Sequence, residues 1–307
     1  MNIDRFVLPA FRAAGHLPPS VAERAGRFVG NVIGRLPITP VRQMAANHAR
    51  ICSGQLPPRH VYRAVASYFT MFAQTPVLTR MSDDELKRAV RCHGCDALRQ
   101  GLSDGPVIVA LTHSGNWDLA GAWACEHLAP VVTVAEELQP RELYDYFVSE
   151  RQALGMEILP ARRGVFHLLK ERVTGRRVIV PLLADRDITG AGIEVTLAGQ
   201  QALVAAGPAA LAIALNRPLF AAHMRMIPYR FEGRARTGIE IFFKPVTVSE
   251  DVEETTRAWV GTLEPIIRKY LVDWHMMQPL FVDDLDPQRL ARARARHAQA
   301  QREGSRE

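Results

Sequence analysis

From about residue 105 onward, this chain of 307 residues alternates short β-rich runs with helical patterns, and few folds accommodate that alternation. The spacing predicts strands over 107–112, 131–134, 157–159, 178–183, 219–227 and 238–244. Helices are expected over 117–127, 141–154, 165–174 and 207–215, with a last one over about 250–271 that is capped near Ser249 and carries acids in its first turn. Strands separated by helices point to an α/β fold with a mainly parallel central sheet flanked by helices. Ahead of this region, residues 1–80 read as mostly helical, punctuated by Pro18-Pro19, Pro37, Pro40 and Pro57-Pro58. The expected organisation is a single domain over 1–288, comprising a helical region over 1–80 and an α/β core over 105–288. A basic tail over 289–307, without an apolar face, is expected to be disordered.

Composition removes several classes. Hydrophobic residues make up 48% and charged residues 23%, as in an ordinary globular chain and unlike a disordered or collagenous one. Cys52, Cys92, Cys95 and Cys125 form no disulfide framework and fit a reducing compartment. The C-x2-C pair at Cys92 and Cys95 lacks a second ligand pair, so no metal is expected. No run approaches the ~20 apolar residues of a membrane span. The first residues, broken by Pro9 and Arg12, make a poor signal peptide, so a cytoplasmic location is expected.

The net charge of +6 is unevenly placed. Residues 1–50 carry seven Arg against Asp4 and Glu23, a net +5. Residues 289–307 carry six Arg against Glu303 and Glu307, a net +4, which leaves 51–288 at −3. Basicity at both ends suits an anionic membrane surface better than nucleic acid, and no nucleic-acid partner is expected. Val21, Ala25, Val29, Val32, Ile33 and Leu36 recur at helical spacing, with Arg24, Arg27, Asn31 and Arg35 mostly on another side. That pattern describes an amphipathic helix at a membrane interface, or equally one packed on the body with a solvated Arg face. Gly26, Gly30 and Gly34 form a row of small residues suited to close packing on the protein body.

The strongest local signal is PVIVALTHSGNWDLAGAW, residues 106–123. An apolar strand ends at Thr112, His113 follows, and a helix begins at Trp117 and Asp118. Side chains just past the C-terminal end of a parallel strand face the crevice where α/β sheets bind ligands. The spacing allows Asp118 to fold back on His113 and fix its tautomer, freeing the far ring nitrogen to take a proton from a hydroxyl. Backbone amides of the 114–117 turn could stabilise a developing negative charge. No G-x-S-x-G elbow is present, which argues against Ser114 as a nucleophile.

HSGNWD resembles the H-x4-D box of glycerolipid-type acyltransferases. Its surroundings resemble the bacterial lipid A late acyltransferases and the related phosphatidylinositol mannoside acyltransferases. RQALGMEILP (151–160), LLADRDITGAGIEV (182–195), AAGPAALAIALNRPLF (205–220) and DWHMMQPLFVDDL (273–285) continue the resemblance in order across about residues 20–288. It implies His113 as general base, Asp118 as the residue that holds it, and Asp185 as an acid that orients His113 or positions the sugar. It implies Arg151 as a phosphate or carbonyl contact and Arg186 as a further binding residue. The implied reaction moves a long-chain acyl group, palmitoyl, from acyl-CoA to a mannose 6-hydroxyl of phosphatidylinositol mono- or dimannoside. Acyl-CoA is then a co-substrate and no cofactor is needed. The enzyme would work as a peripheral protein at the cytoplasmic face of the membrane. Transfer to a lipid A precursor from acyl carrier protein, acyl-CoA hydrolysis, and a non-catalytic membrane-binding role stay open as alternatives. Taken alone, Asp185-Arg186-Asp187 would read as a surface ion-pair cluster, and Trp274 and His275 as core or ligand contacts.

Overall fold

The computed structural model describes residues 4–188, 192–288, 290–291 and 293–295. Four helices come first: α1 (Asp4–His16), α2 (Pro19–Ile33), α3 (Thr39–Cys52) and α4 (Pro58–Gln74). Helices α5 (Asp83–Ala89) and α6 (Cys95–Gly101) flank the short strand β1 (Val90–His93). The alternating region then runs β2 (Val107–Leu111), α7 (Trp117–His127), β3 (Val132–Ala135), α8 (Arg141–Ala153), β4 (Glu157–Pro160), α9 (Val165–Val173) and β5 (Ile179–Leu183). It closes with β6 (Ile193–Leu197), β7 (Gln200–Val204), α10 (Gly207–Leu215), β8 (Leu219–Phe231), β9 (Arg234–Val246) and α11 (Val252–Lys269).

The central sheet has the order β1-β9-β8-β2-β5, parallel except for the β8–β9 hairpin. A parallel bridge between Val131 and Ile179 sets the β3–β4 pair beside β5. Strand β2, with both faces covered, is buried at every position, as its unbroken apolar run VIVAL requires. The β8–β9 hairpin turns at Glu232 and Gly233, both with positive φ, the backbone that a tight two-residue hairpin demands. Strand β1 and the β6–β7 hairpin lie outside the expected runs, although β6, IEVTL, alternates apolar and polar residues with its apolar positions buried.

Four local expectations are corrected. The cap of α11 is Asp251, whose carboxylate accepts from the amides of Glu253 and Glu254 at 2.6 and 3.1 Å; Ser249 lies two residues too early. Cys92 and Cys95, expected as free thiols, are joined in a disulfide across the β1–α6 turn, with Cα atoms 6.0 Å apart. The 289–307 tail lies mostly outside the described residues. Its described part is helical, with Ala293 buried beside Leu203 and Leu285, so it does carry an apolar contact. The close acids Asp283, Asp284 and Asp286 read in the sequence as a solvated turn, but Asp284 pairs with Arg50 on α3 through both carboxylate oxygens.

Helix α2 lies along α4 on its glycine face. A Cβ on Gly26 would stand 2.5 Å from the Phe69 carbonyl oxygen, one on Gly30 2.6 Å from the Ala66 Cα, and one on Gly34 2.9 Å from the Tyr62 Cα. The glycine row is therefore what lets the two backbones approach. Its consequence is that the apolar residues of α2 do not all turn inward. Val21, Val29 and Val32 stay exposed, as does Leu36 just past the helix, and Phe28 is 69% exposed.

Candidate active site

Strands β2 and β5 are parallel neighbours, and their last register pair is Leu111 with Leu183. Two residues further along each chain come His113 and Asp185. Parallel register therefore delivers these side chains to the same place at the C-terminal edge of the sheet. Nδ1 of His113 lies 2.5 Å from one Asp185 carboxylate oxygen, and the backbone amide of His113 donates to the other at 2.9 Å. Asp185 is 3% exposed. Burial alone would raise its pKa, but the nearby His113 charge and the hydrogen bonds from His113 and Trp274 outweigh that and hold it below the ordinary carboxylate value.

The Trp274 indole Nε1–H donates to Asp185 at 2.7 Å from a fully buried position. Residues 273–275 run antiparallel to 113–115: His275 N–H donates to the His113 carbonyl at 2.6 Å, and Gly115 N–H to the Asp273 carbonyl at 3.0 Å. From the other side, α3 grips this segment. Asn47 Nδ2 donates to the carbonyls of Met276 and Gln278, and His48 Nε2 lies 2.8 Å from the Trp274 carbonyl while its ring stacks on the indole. The C-terminal Trp-His-Met-Met-Gln-Pro run thus straps the loop that carries His113. Its buried Trp was the only sequence signal for this role, and it does not separate core packing from positioning.

The structure sets Asp118 apart from His113. The Asn116 side chain caps α7 by accepting from the Leu119 amide at 3.0 Å, which places Asp118 in the first turn, 2% exposed. Its carboxylate accepts from Arg151 Nε at 2.7 Å and from Thr75 Oγ1 at 3.2 Å. The expectation that Asp118 fixes the His113 tautomer is corrected: Asp185 occupies Nδ1, and Asp118 anchors Arg151 of α8 and the end of α4. Arg151 is anchored to Asp118 through Nε and lies over the Phe147 ring.

Two of the turn amides proposed for an oxyanion are also spoken for. Ser114 N–H donates to the Thr112 carbonyl and Gly115 N–H to Asp273. Gly115 has φ +56, and a Cβ there would meet that of Met224 at 2.6 Å, so the turn's shape depends on glycine. The 185–187 segment is no surface cluster, since Asp187 is 1% exposed. Arg186 pairs with Glu136 at 3.1 Å, while its Nε is buried without a partner. Trp117 Nε1, whose ring meets the His113 ring edge-on, is a second buried donor without one. Unused buried donors beside a reactive imidazole are groups a bound substrate can satisfy. The small-residue turn at 189–191 lies outside the described residues.

A ring of neutral histidines backs this centre. Burial lowers His48 and His275 to about 3 and His223 to about 4. His223 Nδ1 lies 2.9 Å from Thr112 Oγ1, and His275 Nε2 lies 3.0 Å from Ser67 Oγ.

The sequence pattern of the family described as "Bacterial lipid A biosynthesis acyltransferase" matches residues 2–282. A phosphatidylinositol mannoside acyltransferase of Mycolicibacterium smegmatis is 36% identical over 257 residues, 81% of this chain and 82% of that protein. Two proteins of the same name from Mycobacterium tuberculosis strains are similar as well. The H37Rv protein is 37% identical over 207 residues (66% of this chain, 63% of that protein), and the CDC 1551 protein 34% over 263 residues (83% and 81%).

Proposed function

Since the chain belongs to the bacterial lipid A biosynthesis acyltransferase family and is an acyltransferase, we propose that it transfers a long-chain acyl group, palmitoyl, from acyl-CoA to a mannose 6-hydroxyl of phosphatidylinositol mono- or dimannoside. The relatives' shared name supports the acceptor. The observation that carries the chemistry is the His113–Asp185 pair, with Nδ1 occupied by the carboxylate.

In this reading Nδ1–H donates to Asp185, which fixes the tautomer and leaves Nε2 as the base. Nε2 takes the proton of the acceptor hydroxyl as its oxygen attacks the thioester carbonyl carbon. The tetrahedral oxyanion collapses, the C–S bond breaks, and the imidazolium returns the proton to the departing thiolate. Asp185 stabilises the imidazolium during this interval. The positive end of α7 and the unused donors of Trp117 and Arg186 are groups that can meet negative charge on the substrates. Arg151 and Asp118 act by fixing the α7–α8 wall. Base assistance of this kind supplies roughly 10²–10⁴-fold.

The enzyme docks peripherally on the cytoplasmic membrane face through α2. Its exposed Val21, Phe28, Val29, Val32 and Leu36 support this, because a contiguous apolar strip rimmed by Arg24 and Arg35 suits an interface. The test is transfer from labelled palmitoyl-CoA to phosphatidylinositol mannosides by wild type and His113→Ala. Label on the mannoside with wild type alone is the expected result. Free fatty acid alone makes the protein a thioesterase, and transfer only from acyl carrier protein to a lipid A precursor redirects the acceptor.

A further inference from the structure

Between α2, α4, β8 and the end of α11 lies an open cleft of about 590 Å³, within the roughly 300–1,000 Å³ of small-ligand sites. Tyr68 faces the catalytic side, against His275, and Thr75, just past the end of α4, bonds Asp118. His60, Arg63, Ser67 and Thr70 line the cleft, and Ser67 also reaches His275 at 3.0 Å. Its cations come from three further elements: Arg27 on α2, Arg225 on β8, and Arg268 and Lys269 at the end of α11. Two of these are matched, Arg225 by Glu240 and Arg268 by Glu264. Among the described ion pairs none holds Arg27, Arg63 or Lys269. Arg27 reaches only the Thr237 hydroxyl, at 3.0 Å, and Lys269 rests over the Tyr270 ring.

The lining contains a single carboxyl, Asp273, which offsets part of this charge through Arg225 and Arg63. It is bound inward, accepting from Ser67 Oγ at 2.5 Å and from the Met226 amide at 3.0 Å, and burial pushes its pKa up to about 6. A concave site with three cations outside any described ion pair, against one inward-bound carboxyl, and with a hydroxyl-rich wall fits a phosphate ester. The wall formed by α2 decides which one, because the same helix exposes its apolar strip to solvent on another side. A ligand that carries its phosphate at a bilayer surface can meet both.

We propose that this cleft is a binding site for the phosphate headgroup of an anionic phospholipid, distinct from the acceptor site at His113. The inference rests on the docking of α2 at a membrane but not on the acyl-transfer chemistry. A headgroup held here would also touch the Ser67–Asp273 floor, whose backbone continues into the strap over His113.

The experiment is co-sedimentation of the full chain with neutral phosphatidylcholine vesicles and with vesicles containing one-fifth phosphatidylinositol. The proteins are wild type, Arg63→Ala/Lys269→Ala, and a control with two cations removed on the far side, Arg163→Ala/Lys170→Ala. Each cation near an anionic bilayer is worth about a fivefold factor, so the cleft variant should lose roughly 25-fold on anionic vesicles. It should bind neutral vesicles as wild type does, and the control should lose far less. Equal losses in the two variants, or none in the cleft variant, would overturn the site. If phosphatidylinositol vesicles bind unchanged while inositol 1-phosphate in solution loses affinity for the variant, the ligand is a soluble phosphate and the lipid assignment falls. Absence of vesicle binding by wild type overturns it too, while His113-dependent transfer in detergent would still uphold the catalytic reading.

Discussion

Two buried carboxylates stand near the turn between β2 and α7, Asp118 in the first turn of α7 and Asp185 just past β5, and they serve different partners. Asp185 faces an imidazole, an indole and a backbone amide, inside a shell of neutral histidines. Asp118 faces a guanidinium and a hydroxyl. The first holds the imidazole that takes and returns the proton in the proposed reaction. The second is locked to a cation that never titrates. A carboxylate's role is thus set by its partner rather than by its proximity in sequence to the histidine.

The sharpest way to break this comparison is Asp185→Asn. With the tautomer no longer held, kcat should fall by about 10³–10⁴-fold with KM little changed; steady-state kinetics would show it, and a loss below tenfold would remove Asp185 from its role. Asp118→Asn should act mainly on stability. It strands the partly buried Arg151 charge and should cost about 3–5 kcal/mol, visible in denaturant melts. A folded, fully stable Asp118→Asn with kcat as low as that of the Asp185 variant would merge the two centres again.

Acid should distinguish the regions as well. His48, His223 and His275 have pKa values lowered by burial, so below about 6.5 the unfolded chain binds protons there that the folded chain does not. Asp273, raised to about 6, works in the opposite sense by holding a proton in the folded state that the unfolded state releases down to about 4. At pH 5 the unfolded state is ahead by about two protons, so stability should drop by roughly 2–3 kcal/mol per pH unit on acidification. Chemical melts between pH 7 and 4.5 measure the slope, and a flat profile would show that these histidines are not buried neutral. The smallest expected effect is that of Trp274→Phe, which keeps the ring and removes one donor to Asp185. It should lower kcat about tenfold. The acid limb of the kcat/KM profile should move to higher pH, because a less satisfied Asp185 draws the proton more strongly onto His113; an unmoved limb would reduce Trp274 to packing.

Much of this was legible in the chain. The strand and helix succession of the core follows its hydrophobic periods to within a residue or two at most boundaries, except that the β8–β9 hairpin is longer and α11 starts later than expected. Helix α2 was readable as amphipathic, and its glycine row as a packing face. The partner of His113 was half legible. Local spacing favoured Asp118, five residues away, as the residue that holds the imidazole, while Asp185, seventy-two residues away, entered only through the family resemblance, as an acid that orients His113 or positions the sugar. The pairing of β2 with β5 is what brings Asp185 rather than Asp118 to Nδ1.

The sequence alone determined the period of each element, the position of His113 at a strand end, and the excess of charge at the chain's two ends, because these depend on neighbours within a few residues. The tertiary structure decided which carboxylate meets the imidazole, which face of α2 remains bare, and which cations gather in one cleft. Each of these depends on strand order and helix packing, which bring together residues that no local interaction connects.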